Sequence, residues 1–147
     1  MSPILSFSVP RQKEKILRGH IGQTMRKPRK PKAEIHVGDK LLLWWKPWSK
    51  KEKKLLGQTV CTAKKRVALA EVWESETNAK KEGFNSLDEF RDWVVGGWRD
   101  AMEIELKTFL NLEVYDIIEW KLPLIQQKHL GEFPHEQLAN TDKGRLY

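Results

Sequence analysis

The stretch Ile16–Lys30, ILRGHIGQTMRKPRK, decides the reading of the chain. Its first residues close a short helix over Arg11–Arg18, with Ile16 and Leu17 turned inward. Gly19 stands where a helix end favours a residue tolerant of positive φ. Gln23–Lys27 has the length and composition of a short strand. In the KPRKPK run that follows, Lys27–Lys32, two prolines exclude a helix and a central strand, so a stiff, exposed, basic loop is expected.

Working outward, Pro3–Val9 alternates apolar residues and reads as a first strand. Gly38-Asp39 marks a turn, and the apolar run Leu41–Lys46 reads as a buried strand. Pro47–Leu55 is a second basic connection. Gly57–Trp73 is β-rich, one strand broken near Lys64–Arg66 or two strands. The period then changes. Thr77–Glu82 reads as a short helix ended by Gly83, and Ser86-Leu87-Asp88-Glu89 as a capping box. Leu87, Phe90, Trp93 and Val94 follow at helical spacing up to Gly96-Gly97. Trp98–Leu110 is expected to form another helix, and Val114–Leu122 a closing strand before Pro123. The order is β-α-β-β-β, then helices, then a last strand. The expected class is α+β, with a curled mixed sheet or small barrel flanked by helices. The domain is expected to occupy residues 1–122, and 123–147 to be a tail, docked or mobile.

Composition narrows the function classes. The chain has 147 residues, 39% hydrophobic and 32% charged, with seven Trp and five Phe; it can bury a core and is not a disordered polymer. No apolar run approaches the roughly 20 residues of a bilayer span. No secretory signal is visible and the one cysteine, Cys61, cannot form an internal disulfide, so a cytoplasmic protein is expected. His20, His36, His129 and His135 are scattered, and no pair has metal-ligand spacing. Phosphate-loop and dinucleotide fingerprints are missing from the sequence. Neither a metal nor a cofactor is therefore expected.

Charge is divided unevenly. Residues 1–66 carry 18 of the 27 Lys and Arg but only 4 of the 20 Asp and Glu, a basic half suited to a polyanion. Arg26, Lys27, Arg29, Lys30 and Lys32 cluster in the proline-stiffened loop, which holds their charges together at low entropic cost. Trp44, Trp45 and Trp48 precede Lys50, Lys51, Lys53 and Lys54. One of Trp44 and Trp45 should point into the core, which leaves the other, or Trp48, free to stack on an unpaired base while the lysines meet phosphates. Arg26, in a short strand, needs an anionic partner, and its fork suits phosphate or Glu82. The nucleic-acid contacts expected are Arg26, Lys27, Arg29, Lys30, Lys32, Trp48, Lys50 and Lys51.

Gly19, Thr24 and Arg26 in Ile16–Lys30, VGDKLLLWW at Val37–Trp45, AKKEGFNSLDEF at Ala79–Phe90 and VYDIIEW at Val114–Trp120 occur in the order found in ASCH domains. Over about residues 3–122 the chain resembles that family, part of the PUA-like superfamily, and in particular its small archaeal and bacterial members. The resemblance implies a β-barrel flanked by helices, with a cleft between barrel and helices. It also implies binding of RNA or a modified nucleoside. Some small members remove the acetyl group of N4-acetylcytidine, and by resemblance Thr24 is the nucleophile and Glu82 the proton-transfer group. The family's lysine would fall at position 21, where this chain has Ile21, which can neither activate Thr24 nor stabilise charge. Two readings result: a binding module for RNA or a modified nucleotide, and a hydrolase (amidohydrolase or ribonuclease) weakened by Ile21. A protein-interaction adaptor built on the acidic C-terminal half has no residue signature of its own.

Overall fold

The computed structural model describes residues Ser2–Ile125. The elements are β1 (Ile4–Phe7), α1 (Pro10–Leu17), β2 (Gln23–Arg26), β3 (Lys40–Trp45), β4 (Lys54–Ala68), α2 (Leu69–Val72), α3 (Glu76–Lys81), α4 (Leu87–Val94), α5 (Glu103–Leu112) and β5 (Val114–Trp120). The five strands form one mixed sheet in the order β1-β3-β4-β5-β2, with β1 parallel to β3 and the other pairs antiparallel. The fold is α+β, a curled sheet flanked by helices.

β4 organises the sheet. Its first half pairs with β3, its second half with β5, and the registers shift near Leu43/Trp44 and Cys61/Ala63. Irregularities of this kind bend and twist a strand, and a strand of 15 residues that bends can serve both halves of a curled sheet. The bend divides the apolar residues between two cores. Leu5, Phe7, Ile16, Ile21, Leu41, Leu43, Trp45 and Trp120 fill the first, with α1 as its lid. Met25, Val67, Leu69, Phe84, Phe90 and Leu110 fill the second, between the β2–β4–β5 surface and the later helices.

Five local expectations are corrected. The β-rich stretch expected over Gly57–Trp73 is a continuous strand only to Ala68; Leu69–Val72 is helical, with the Glu71 carboxylate accepting from the Ala68 amide at 2.8 Å. The helix expected over Trp98–Leu110 is a 3-10 turn, Trp98–Asp100, followed by α5 starting at Glu103. The KPRKPK loop does contain one 3-10 turn, Pro31–Ala33, because Pro31 sits at a first-turn position where its missing N–H costs nothing. The capping box is half formed: Ser86 Oγ accepts from Glu89 N, but the Glu89 carboxylate takes the Asn85 amide. Both Trp44 and Trp45 are buried, on opposite faces of β3, as strand alternation requires once both faces are covered.

Past β5, Leu124 packs into the first core and Ile125 exchanges backbone hydrogen bonds with Gln58; the remainder of the expected tail lies outside the described residues. The close approach depends on Gly57, where a Cβ would lie 2.8 Å from Leu124 Cβ and 3.3 Å from the Ile125 carbonyl oxygen. Gly57→Ala is therefore expected to cost about 1–3 kcal/mol, measured by urea unfolding. Leu124→Ala in the same background should not recover that loss, since alanine keeps the Cβ that the new methyl group meets and truncating Leu124 empties part of the first core.

Candidate functional site

β1 and β2 are the two edges of the curled sheet and carry no ladder to one another. Polar side chains meet in the seam between them. Glu82 follows α3, and its place is set by the chain reversal there. Gly83 has φ +94°, its amide donates to the Lys80 carbonyl, and the Phe84 amide donates to the Ala79 carbonyl. This closes the helix as a Schellman motif. A larger residue at 83 would be strained by the positive φ, and its Cβ, 2.5 Å from Ile21 Cδ1, would force that buried side chain to move. From α1, Gln12 Nε2 donates to the Glu82 carbonyl at 3.1 Å, and Lys15 Nζ donates to the Gly83 carbonyl at 2.9 Å.

The Glu82 carboxylate is 2% exposed. Its Oε1 accepts from the Met25 amide at 2.8 Å, serving a donor on an edge strand, and its Oε2 accepts from Gln23 Nε2 at 2.6 Å. Gln23 also donates to Asn78 Oδ1 at 2.8 Å. Burial disfavours the charged form and raises this carboxyl to about 7, against the opposing pull of the Gln23 and Met25 hydrogen bonds and the Arg26 charge.

Thr24 and Arg26 share one face of β2. Arg26 Nε donates to Thr24 Oγ1 at 3.1 Å and Nη2 to the Ser6 carbonyl of β1 at 2.5 Å, and the guanidinium lies 4.6 Å from the centre of the Phe7 ring. Arg29 Nη2 reaches the Ile4 carbonyl of β1 at 2.5 Å. Desolvation lowers Arg26 to about 10; Glu82 acts against that shift and Arg29 with it. Among the described residues Thr24 Oγ1 has no hydrogen bond with a carboxylate, and the hydroxyl is 3% exposed. Ile21 is 2% exposed and belongs to the first core. It supplies packing beneath Gly83 and no charge.

The expected basic contacts divide into two groups. Arg26 and Arg29 turn into the seam. Lys27 forms an ion pair with Glu113, the main cause of its raised pKa, and lies 4.7 Å from the Tyr115 ring centre. Lys30, Lys32, Lys50 and Lys51 are exposed and lie beyond ion-pair distance of any carboxylate among the described residues. Trp48 is 64% exposed, on the turn between β3 and β4. Among the described residues no group of three or more His, Cys, Asp or Glu could hold a metal ion, and no helix is long and apolar enough to cross a membrane.

Sequence reasoning missed Gln23, Asn78 and Gln12. All three are buried amides, and the available signal was polarity at inward positions: Gln23 in an otherwise packed strand, Asn78 beside buried Ala79. The carbonyls of Ile4 and Ser6 gave no signal, since a backbone acceptor leaves no trace in residue type.

The raised Glu82 carboxyl has a thermodynamic consequence. Its folded value, about 7, lies above the ordinary 4.5. The native state therefore holds a proton that the unfolded chain releases, and this contribution weakens as pH rises from about 4.5 through 7. Urea midpoints between pH 5 and 8 should fall for the wild type by more than for Glu82→Gln, which has no proton to lose. Parallel pH profiles for the two proteins would contradict this assignment.

No protein family and no curated protein matches the chain by sequence. Its fold is similar to the crystal structure of ASCH from Zymomonas mobilis, at 15% identity and TM-score 0.51, over 88% of this chain and 76% of that one. Two mutant forms of the same protein match equally well, at 15% and 16% identity and TM-score 0.51. At that identity the likeness concerns architecture. The curled mixed sheet with its flanking helices is thus an ASCH-like fold.

Proposed function

We propose that the protein binds nucleic acid, RNA in the first instance, or a modified nucleotide. The observation that supports this best is the exposed Trp48 on a turn that also carries Lys50 and Lys51, neither of them neutralised by a carboxylate among the described residues. Exposed, uncompensated ammonium groups displace counterions from phosphates, and an exposed indole offers a face to an unpaired base. Lys30 and Lys32 extend the basic surface on the β2–β3 connection. Lys27 contributes less, because Glu113 already holds it.

Lys50→Ala/Lys51→Ala should weaken RNA binding and reduce the salt slope by about 2. Trp48→Ala should weaken it by about 1–3 kcal/mol with the slope unchanged. Fluorescence anisotropy of labelled single-stranded RNA, duplex RNA and DNA at three salt concentrations measures both. Unchanged affinity in both variants would refute the reading.

A second reading, hydrolysis of a nucleoside or RNA, draws on one observation: a buried carboxyl raised to about 7 beside a threonine-bearing strand. A group titrating near neutrality suits proton transfer. The hydroxyl of Thr24 would still need a base, since in the resting structure it accepts from Arg26. Under this reading acetate is released from N4-acetylcytidine, or RNA is cleaved, and Thr24→Ala and Glu82→Gln each abolish the activity. Chromatography of the nucleoside products and gel analysis of the RNA read it.

A further inference from the structure

Most arginines of the described chain are matched by carboxylates. Arg11 pairs with Glu89, Arg18 with Glu14, Arg66 with Asp116, and Arg99 with Asp88 and Asp92. Arg91 lies between the Trp73 and Trp98 rings, at 4.9 and 5.1 Å from their centres. Arg91 also donates to a backbone carbonyl, that of Trp73 at 2.9 Å, but it does so between two indole rings; Arg26 and Arg29 differ in that two such guanidiniums share one seam. Among the described residues neither has a carboxylate within ion-pair distance, and both direct a guanidinium at neutral backbone carbonyls of one strand.

The nearest acids do not change this. Asp116 stands opposite Arg26 in the β2–β5 register, but its carboxylate is held by Arg66 at 2.8 Å, with Lys64 at 3.7 Å. Glu82 acts on Arg26 as a charge, while both of its oxygens are engaged by Met25 and Gln23. Each guanidinium has five N–H donors. Arg26 uses one on Thr24 and one on Ser6, which leaves three; Arg29 uses one on Ile4, which leaves four.

Two like charges thus share a partly buried seam with donors to spare. Burial depresses both groups, and the Arg29 charge adds to the cost at Arg26. The acceptors Ile4 O and Ser6 O are two residues apart, about 7 Å along an extended strand. Guanidiniums anchored on carbonyls at that spacing are near enough neighbours for one phosphoryl group to accept hydrogen bonds of about 2.8 Å from both. Guanidinium forks match its oxygens in pairs, which a lysine ammonium does not do.

We propose that Arg26 and Arg29 form a binding site for one phosphoryl group at the β1–β2 seam, carried by a nucleotide or as free phosphate. The site deepens the nucleotide-binding reading and rests on it for the nucleotide. It is distinct from the exposed lysine and Trp48 surface, and it takes a single phosphate rather than the backbone of a polymer. Binding adds a dianion to guanidiniums that also hold the Ile4 and Ser6 carbonyls, so the β1 edge reports it through the amides that follow those residues.

The test is a set of amide NMR titrations of the full chain with inorganic phosphate, uridine 5′-monophosphate and uridine. Phosphate and the monophosphate should give saturable shifts at the Leu5 and Phe7 amides, and uridine should give none there. Tighter binding of the monophosphate identifies a nucleotide site; equal binding identifies a site for phosphate itself. Arg29→Gln should weaken binding at least tenfold, and Arg29→Lys, which keeps the charge without the fork, should also weaken it. Lys50→Ala/Lys51→Ala should leave it within twofold. No saturable shift in the wild type overturns the proposal, as does a loss that follows the lysines instead of Arg29. RNA binding that fails while the seam still takes phosphate refutes only the polymer surface, so the two readings fail separately.

Discussion

An unpaired strand edge is the constraint on which the rest of the structure depends. A curled sheet of five strands brings β1 and β2 face to face without a ladder between them, and each edge leaves backbone groups without strand partners. This chain meets them with side chains. Glu82 accepts the Met25 amide of β2, and Arg26 and Arg29 donate to the Ser6 and Ile4 carbonyls of β1. Charged groups are drawn into a closed seam in this way, and their titration shifts as burial requires: the acid up, the guanidiniums down.

The seam also explains why the second core has its shape. Glu82 can reach β2 only if α3 ends beside that strand, and Gly83, Ile21, Gln12 and Lys15 fix that ending from α1 and from the turn before β2. The helices after β4 therefore do more than cover an apolar face. They deliver a carboxylate to an edge strand 57 residues away in sequence, while α1 serves as lid to one core and anchor for the other.

Charge follows the same division. The basic N-terminal half does not present all its cations to solvent. Two arginines close the seam, Lys27 pairs with Glu113, and Lys64 and Arg66 are tied to Glu34 and Asp116. What remains outward is a smaller set of lysines around Trp48 and in the β2–β3 loop. A count of basic residues thus overstates the surface available to a polyanion, because a guanidinium and a carbonyl several strands apart can be partners.

Much of this was legible in the sequence. Element order, the helix ends at Gly19 and Gly83, the buried β3 strand and the α+β class follow from hydrophobic period and local φ requirements, which act over a few residues. Arg26 was marked by its charge in a short strand, whereas Thr24 and Glu82 were marked only by the resemblance to ASCH domains. The helical end of the Gly57–Trp73 stretch and the true start of α5 were not legible, because Leu69–Val72 and Trp98–Asp100 are set by what packs against them. Local sequence determined which residues could be strand, helix and charge. Only the tertiary structure decided that Arg26 faces Ser6, that Glu82 serves Met25, and that Ile21 supports Gly83, since each partnership joins segments that come together only when the sheet curls.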